Sequence, residues 1–228
     1  MNDQPMDDTP LDAGRVKSLF TTDDGGYRFS RWGRPIAPII FGTDDVTLGH
    51  LKDAIAATIK DAGHEMVEVD PELGSNLLIF FCQEWEELDM VPNLDQMLPD
   101  LDILKNSLNR TGANQYRTFS FDENGAIKFC ILLLKYDDFM AETPIQTLAC
   151  GQVTQCLLLW GDHAFKDESP IAIVPTNGMC VIKPPFTAVI RGAYDATMPP
   201  SATDDAHALR LAARGELILE EMVDEASA

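Results

Sequence analysis

The chain has 228 residues, with 17 Lys and Arg against 37 Asp and Glu, a formal net charge of -20, and 45% hydrophobic residues. That length fits one large domain, and the composition is that of a globular chain rather than a disordered, collagenous or membrane-embedded one. The excess of acid speaks against a protein whose main task is gripping phosphate backbones, because that affinity comes from Lys and Arg, so no nucleic-acid partner is expected.

In chain order, residues 1–25 carry Asp3, Asp7, Asp8, Asp12, Asp23 and Asp24 with Pro5, Pro10 and Gly25 and show no sustained periodicity, which predicts a flexible acidic arm. Residues 27–32 alternate loosely and 36–41 are apolar, with Pro35 and Pro38 alongside, as in an edge strand. A helix follows, with Thr43 or Asp44 as N-cap, Leu48, Leu51, Ile55, Ile59 and Ala62 on one stripe, and Gly63 closing it. Met66, Val67 and Val69 predict a short strand, and residues 76–82 a strand buried on both faces. Residues 84–112 read as an acidic helical insert lying over the sheet, with leucines at 94, 98, 101, 104 and 108. Next comes a hairpin: strands over 115–121 and 126–134 flank Asp122-Glu-Asn-Gly125, whose Asn-Gly pair supplies the positive φ angles of a tight turn. A buried central helix is predicted over 144–159, a strand over 179–182, a helix opened by Pro184-Pro185, and a last helix from Asp204 that gives way to an acidic tail over 216–228. Together these define a single α+β domain over 26–215 built on one mixed β-sheet with packed helices.

No basic opening or apolar run of signal-peptide length begins the chain. Its longest apolar stretches, 76–82 and 129–134, fall far short of the ~20 residues that span a bilayer, so a cytoplasmic protein without a membrane partner is expected. Cys82, Cys130, Cys150, Cys156 and Cys180 lie in or beside apolar runs and form no CxxC pair, and His50, His64, His163 and His207 are scattered. Reduced, buried thiols and no metal site are the expectation.

Several local patterns touch on chemistry. The run His64-Glu65-Met66-Val67-Glu68 starts like HExxH but lacks the second imidazole and follows a helix-ending glycine, so it reads as a surface turn. The pairs Asp44-Asp45 and Asp137-Asp138 could hold a cation, though helix capping explains the first. Arg31-Trp32-Gly33-Arg34-Pro35 is the one basic and aromatic patch, and a cation–π or internal ion-pair role is expected for it. Cys150 and Thr154 stand one turn apart on the central helix, with Gln146 a turn before and Gln152 and Gln155 on other faces. A nucleophilic Cys150 needs a base, and the nearest downstream histidine is His163, past the helix end; a structural cysteine is favoured.

The stretch Cys150-Gly-Gln-Val-Thr-Gln-Cys-Leu-Leu-Leu-Trp-Gly-Asp162, preceded by the hairpin, resembles an uncharacterised bacterial family of zincin-like domains. In that family a strand pair precedes a helix bearing His-Glu-Glu-x-x-Gln-x-x-Gly-Leu-x-Asn-Asp. Gln155, Leu159 and Asp162 match, as do Ser169-Pro170, the strand over 179–182, the helix end Ile190-Arg-Gly-Ala-Tyr-Asp195 with Pro199, and Arg34-Pro-Ile at the front, so that the likeness covers most of 30–215. Cys150, Gly151 and Thr154 stand where the metal-binding residues would be. The resemblance therefore implies a zincin-like fold with a degenerate metal site, no cofactor and no peptidase activity.

These readings converge on a non-catalytic domain that binds an unknown protein or small ligand through Cys150, Thr154, Gln155 and Asp162. Two alternatives stay open. One is a cysteine- or metal-dependent hydrolase with its site near the 145–163 helix, using Cys150 and His163. The other is an acidic mimic that occupies a basic nucleic-acid-binding surface.

Overall fold

Asp12 closes the N-terminal acidic run by capping a helix: its carboxylate accepts the Arg15 N–H, and α1 (Ala13–Leu19) follows. The computed structural model describes residues 10–227. After α1 come β1 (Phe29–Ser30), β2 (Pro38–Phe41) and α2 (Asp45–Asp61); Asp44 caps α2 by accepting the Val46 and Thr47 amides, and Gly63 at φ +73° terminates it. β3 (Leu77–Cys82) runs into a 3-10 turn over Trp85–Met90 and the helices α3 (Leu94–Met97) and α4 (Leu101–Thr111). A hairpin of β4 (Gln115–Phe121) and β5 (Ile127–Lys135) leads through α5 (Asp138–Glu142) to α6 (Ile145–Cys156). A smaller hairpin, β6 (Ile171–Ile173) and β7 (Cys180–Ile182), precedes α7 (Pro184–Ala193), β8 (Ser201–Ala202) and α8 (Ala206–Ser227).

The main sheet is mixed, in the order β2-β3-β5-β4, with the first three strands parallel and β4 antiparallel at the edge. β3 lies between two parallel neighbours, which is why Leu-Leu-Ile-Phe-Phe-Cys carries no polar alternation: both of its faces are covered. Leu77 and Ile79 point to one side with Cys130, Leu132 and Leu134 of β5, and meet Ile55 and Ile59 of α2 and Leu148 and Val153 of α6. Leu78, Phe80 and Cys82 point to the other side with Ile131 and Leu133, beneath Trp85, Leu88, Leu94, Leu98, Leu101 and Leu108. The segment between β3 and β4 is thus a helical cover for the second face. The molecule is α+β with a mixed sheet, helices on both faces, and two short accessory ribbons, β1–β8 and β6–β7.

Several expectations need correction. Residues 13–20 are not part of a flexible arm, because Val16, Leu19 and Phe20 are fully buried in the main core; residues 1–9 lie outside the described residues. Residues 216–227 are not a tail but the continuation of α8, where Ile218 and Leu219 pack on Ala188. The strand expected around Met66 is a single bridge to Ile36, since the turn at Asp70 and Gly74 follows at once. In the β4–β5 turn only Gly125 adopts positive φ (+75°), because Asp122 accepts the Asn124 and Ala126 amides and sets a longer loop, with a register shift at Ser120/Phe121. The central helix stops at Cys156, after which Leu158 bridges to Arg31.

Candidate functional site

α6 presents different residues on its two sides. Cys150 faces α2 and the β6–β7 hairpin, and it lines a cavity of about 590 Å³ with Ala54, Thr58, Thr147, Cys180 and Ile182 among its walls. The lining is mostly apolar, and among the described residues neither a histidine nor a lysine or arginine stands in it. Asp61, at one end, is held by Arg191, whose Nε donates to the Asp61 carbonyl at 2.8 Å and whose Nη2 lies 3.4 Å from the carboxylate.

Cys150 and Cys180 are neighbours on the wall of this cavity, where α6 packs on β7. Thr58 and Thr154 also adjoin the Cys150 sulfur. Each hydroxyl, however, has one proton, and it goes to a helix carbonyl: Ala54 O at 2.8 Å and Cys150 O at 2.7 Å respectively. The neighbouring Cys180 thiol is therefore the main influence that draws Cys150 below the usual thiol range, against burial and the Asp61 charge. The Cys180 thiol itself is pushed up by the neighbouring Cys150 thiol, by burial and by the charge of Cys150.

The expected binding set does not assemble around Cys150. Thr154, one turn on, is completely buried with its hydroxyl consumed by the helix backbone. Gln155 is five residues along, about 140° around an ideal helix from Cys150, and it lines a second, more polar cleft of about 720 Å³ with Arg117, Trp160, Asp162 and His163. Within that cleft Asp162 accepts the Asp23 N–H at 2.8 Å, and His163 Nε2 lies 2.9 Å from Asp23 Oδ1. Gly161 N–H donates to Leu19 O at 2.7 Å, and a Cβ there would come within 2.3 Å of Thr21 O. The motif's end therefore docks the N-terminal segment. The Cys150–His163 dyad does not form, because the chain turns away at Cys156 and carries His163 to the other cleft.

The remaining sequence candidates have structural partners. Asp44 caps α2, and Asp137 caps α5 through Met140 N–H while accepting the Asn114 amide at 2.7 Å. Trp32 is fully buried and its indole donates to Cys156 O at 2.7 Å; Arg31 lies over Tyr194, and Arg34 pairs with Asp70 and Glu72. His64 is not in a surface turn but half-buried, stacked on Tyr194 with Nε2 3.1 Å from Arg34 O, because α7 closes over the end of α2. Two site features escaped the sequence reading. Cys180 gave no sign of meeting Cys150, since the pair comes from distant segments. Arg117 looked like an ordinary strand residue, yet it contacts α6 through all three guanidinium nitrogens.

Among the described residues, no group of three or more His, Cys, Asp or Glu side chains is placed to hold a metal ion, and no helix is long and apolar enough to cross a membrane. Comparisons with protein-family models, with curated proteins and with solved structures find no match.

Proposed function

We propose that this protein is a non-catalytic binding domain that takes a small, largely apolar molecule into the Cys150 cavity, on a zincin-like scaffold whose metal site is degenerate. The observation that carries the reading is the cavity itself. Its volume of about 590 Å³ and its mostly apolar walls with a few hydroxyl, thiol and carboxylate groups match what small-molecule sites present. The hydrolase alternative needs a base within reach of Cys150, and Asp61, the one carboxylate that the described residues place on the cavity wall, is engaged by Arg191. The zincin-like part of the proposal leans on chain order: the hairpin β4–β5 precedes the helix α6 that carries Cys150, Gly151 and Thr154.

Titration with the neutral apolar dye Nile red tests it. The expected result is saturable binding near one equivalent, lost in Ala57→Trp, where the new ring blocks the cavity from the exposed rim of α2 without altering the thermal melt. Absence of saturable binding, or equal binding by Ala57→Trp, overturns the reading. Stoichiometric zinc in protein purified without added metal overturns the metal-free part.

A further inference from the structure

We propose that Cys150 and Cys180 are a redox dithiol that a small hydroperoxide converts to an intramolecular disulfide, fastening the β6–β7 hairpin to α6. Three observations place the site. The two cysteines, from α6 and from β7, are neighbours on one cavity wall where these elements pack together, so that small adjustments can bring the sulfurs to bonding distance. Both line the cavity, so a molecule the size of a peroxide has a route to them, and Cys180 is itself partly exposed. The hairpin that the bond would fasten consists of two three-residue strands joined through Gly178 at φ +71°.

The other cysteines are placed differently. Cys130 and Cys156 also adjoin each other, but both are enclosed in the main core beneath Arg117. Cys82 lies on the far face of the sheet among the insert leucines. Among the described cysteines, the Cys150–Cys180 pair combines a neighbouring thiol with an open cavity.

The chemistry divides between the two. Cys150, the more readily ionised, attacks the peroxide oxygen as its thiolate. The O–O bond breaks, the peroxide leaves reduced as an alcohol or water after taking a proton, and Cys150 becomes a sulfenic acid, oxidised by two electrons. The Cys180 sulfur then attacks the Cys150 sulfur; the S–O bond breaks, and the hydroxyl leaves as water with the Cys180 proton. A dithiol reductant reverses the change by exchange through the same sulfurs.

This modification shares the cavity with the ligand-binding reading but does not depend on it: thiols are counted without ligand and Nile red is titrated without peroxide, so either can fail alone. The test is hydrogen peroxide treatment of the full chain, followed by thiol counting in denaturant and non-reducing peptide mapping. Exposed Met179, beside Cys180, serves as an internal measure of peroxide dose. The expected result is a fall of two from the five thiols of the reduced protein and a peptide joining Cys150 to Cys180. In Cys180→Ser, oxidation should stop at Cys150 as a sulfenic acid captured by dimedone; in Cys150→Ser the remaining thiols should persist. Intact thiols once Met179 is fully oxidised, or a disulfide between other cysteines, overturns the proposal. The wild-type peptide map decides the matter even where a variant fails to fold.

Discussion

The guanidinium of Arg117, on the edge strand β4, donates through Nε to the sulfur of Cys156 on α6 at 3.2 Å. Its other two nitrogens reach Gln155 Oε1 at 3.2 Å and Gln152 Oε1 at 2.8 Å, so one planar fork ties the strand to the helix. Burial pushes the Cys156 thiol up, but the Cys130 hydrogen bond and the Arg117 charge outweigh it and bring the thiol down to about 7. Arg117→Met is expected to cost about 1–3 kcal/mol in urea unfolding, as several hydrogen bonds are lost at a half-buried position. It should also move the Cys156 ionisation upward, as read by thiolate ultraviolet absorbance against pH. An unchanged titration would show that the arginine is only a mechanical tie.

Asn76, completely buried, holds the turn before β3 together: its Oδ1 accepts Ala37 N–H at 2.7 Å, and its amide donates to Pro35 O at 2.9 Å and Asp70 Oδ2 at 3.0 Å. Asp70 also accepts the Glu72 and Leu73 amides at 2.8 Å each and faces Arg34 at 3.4 Å. Asn76→Leu leaves an amide, a carbonyl and a carboxylate oxygen without this partner in the interior, at an expected cost of about 3–5 kcal/mol. The urea midpoint checks this, and a shift as small as that of an ordinary surface substitution would refute the network's weight.

Phe20 tests the corrected N-terminus. Its ring stacks on Trp160 at 5.2 Å and meets Phe29 edge-on at 5.1 Å, in full burial. Phe20→Ala should lower stability by about 3–5 kcal/mol. A flexible arm would tolerate the change without loss, so a calorimetric melt separates the two pictures.

His207 sets a pH dependence. It is fully buried, with Nδ1 2.8 Å from the Tyr27 hydroxyl and no hydrogen-bond partner for Nε2 among the described residues. Burial, aided by the Arg210 charge, pushes it down from 6.5 to about 4. Between those values the unfolded chain binds the proton and the folded one does not. The contribution is therefore complete above pH 6.5 and is lost as pH falls through about 4. Its size is on the order of 3 kcal/mol. His207→Phe should flatten the acid side of the stability profile, measured by urea unfolding at a series of pH values; a slope equal to the wild type's would rule His207 out as its source.

The parts of the fold that could be read from the chain are those where local pattern and tertiary role agree. Leu51, Ile55 and Ile59 mark the buried stripe of α2, and the unbroken apolar run of β3 marks a strand with two covered faces. α1 was hidden because an acidic capping residue looks, in isolation, like one more charge in a disordered run, and because seven residues carry too little periodicity. The candidate site was half visible. Cys150 could be picked out on its helix, but its partner comes from a three-residue strand with no alternation to read. Asp162 and His163 looked available, because nothing in sequence shows that Asp23 is folded against them.

The alternation of β3 between two separate cores has a consequence for how the sequence can change. Ile79 shares its surroundings with Ile55 and Val153, whereas its chain neighbours Leu78 and Phe80 belong with Trp85 and Leu101. Adjacent codons thus answer to different packing partners. Substitutions at 78 and 79 should combine additively, while those at 79 and 55 should be strongly epistatic. The helical cover can drift, shrink or be exchanged as a block while the cavity side keeps its own history.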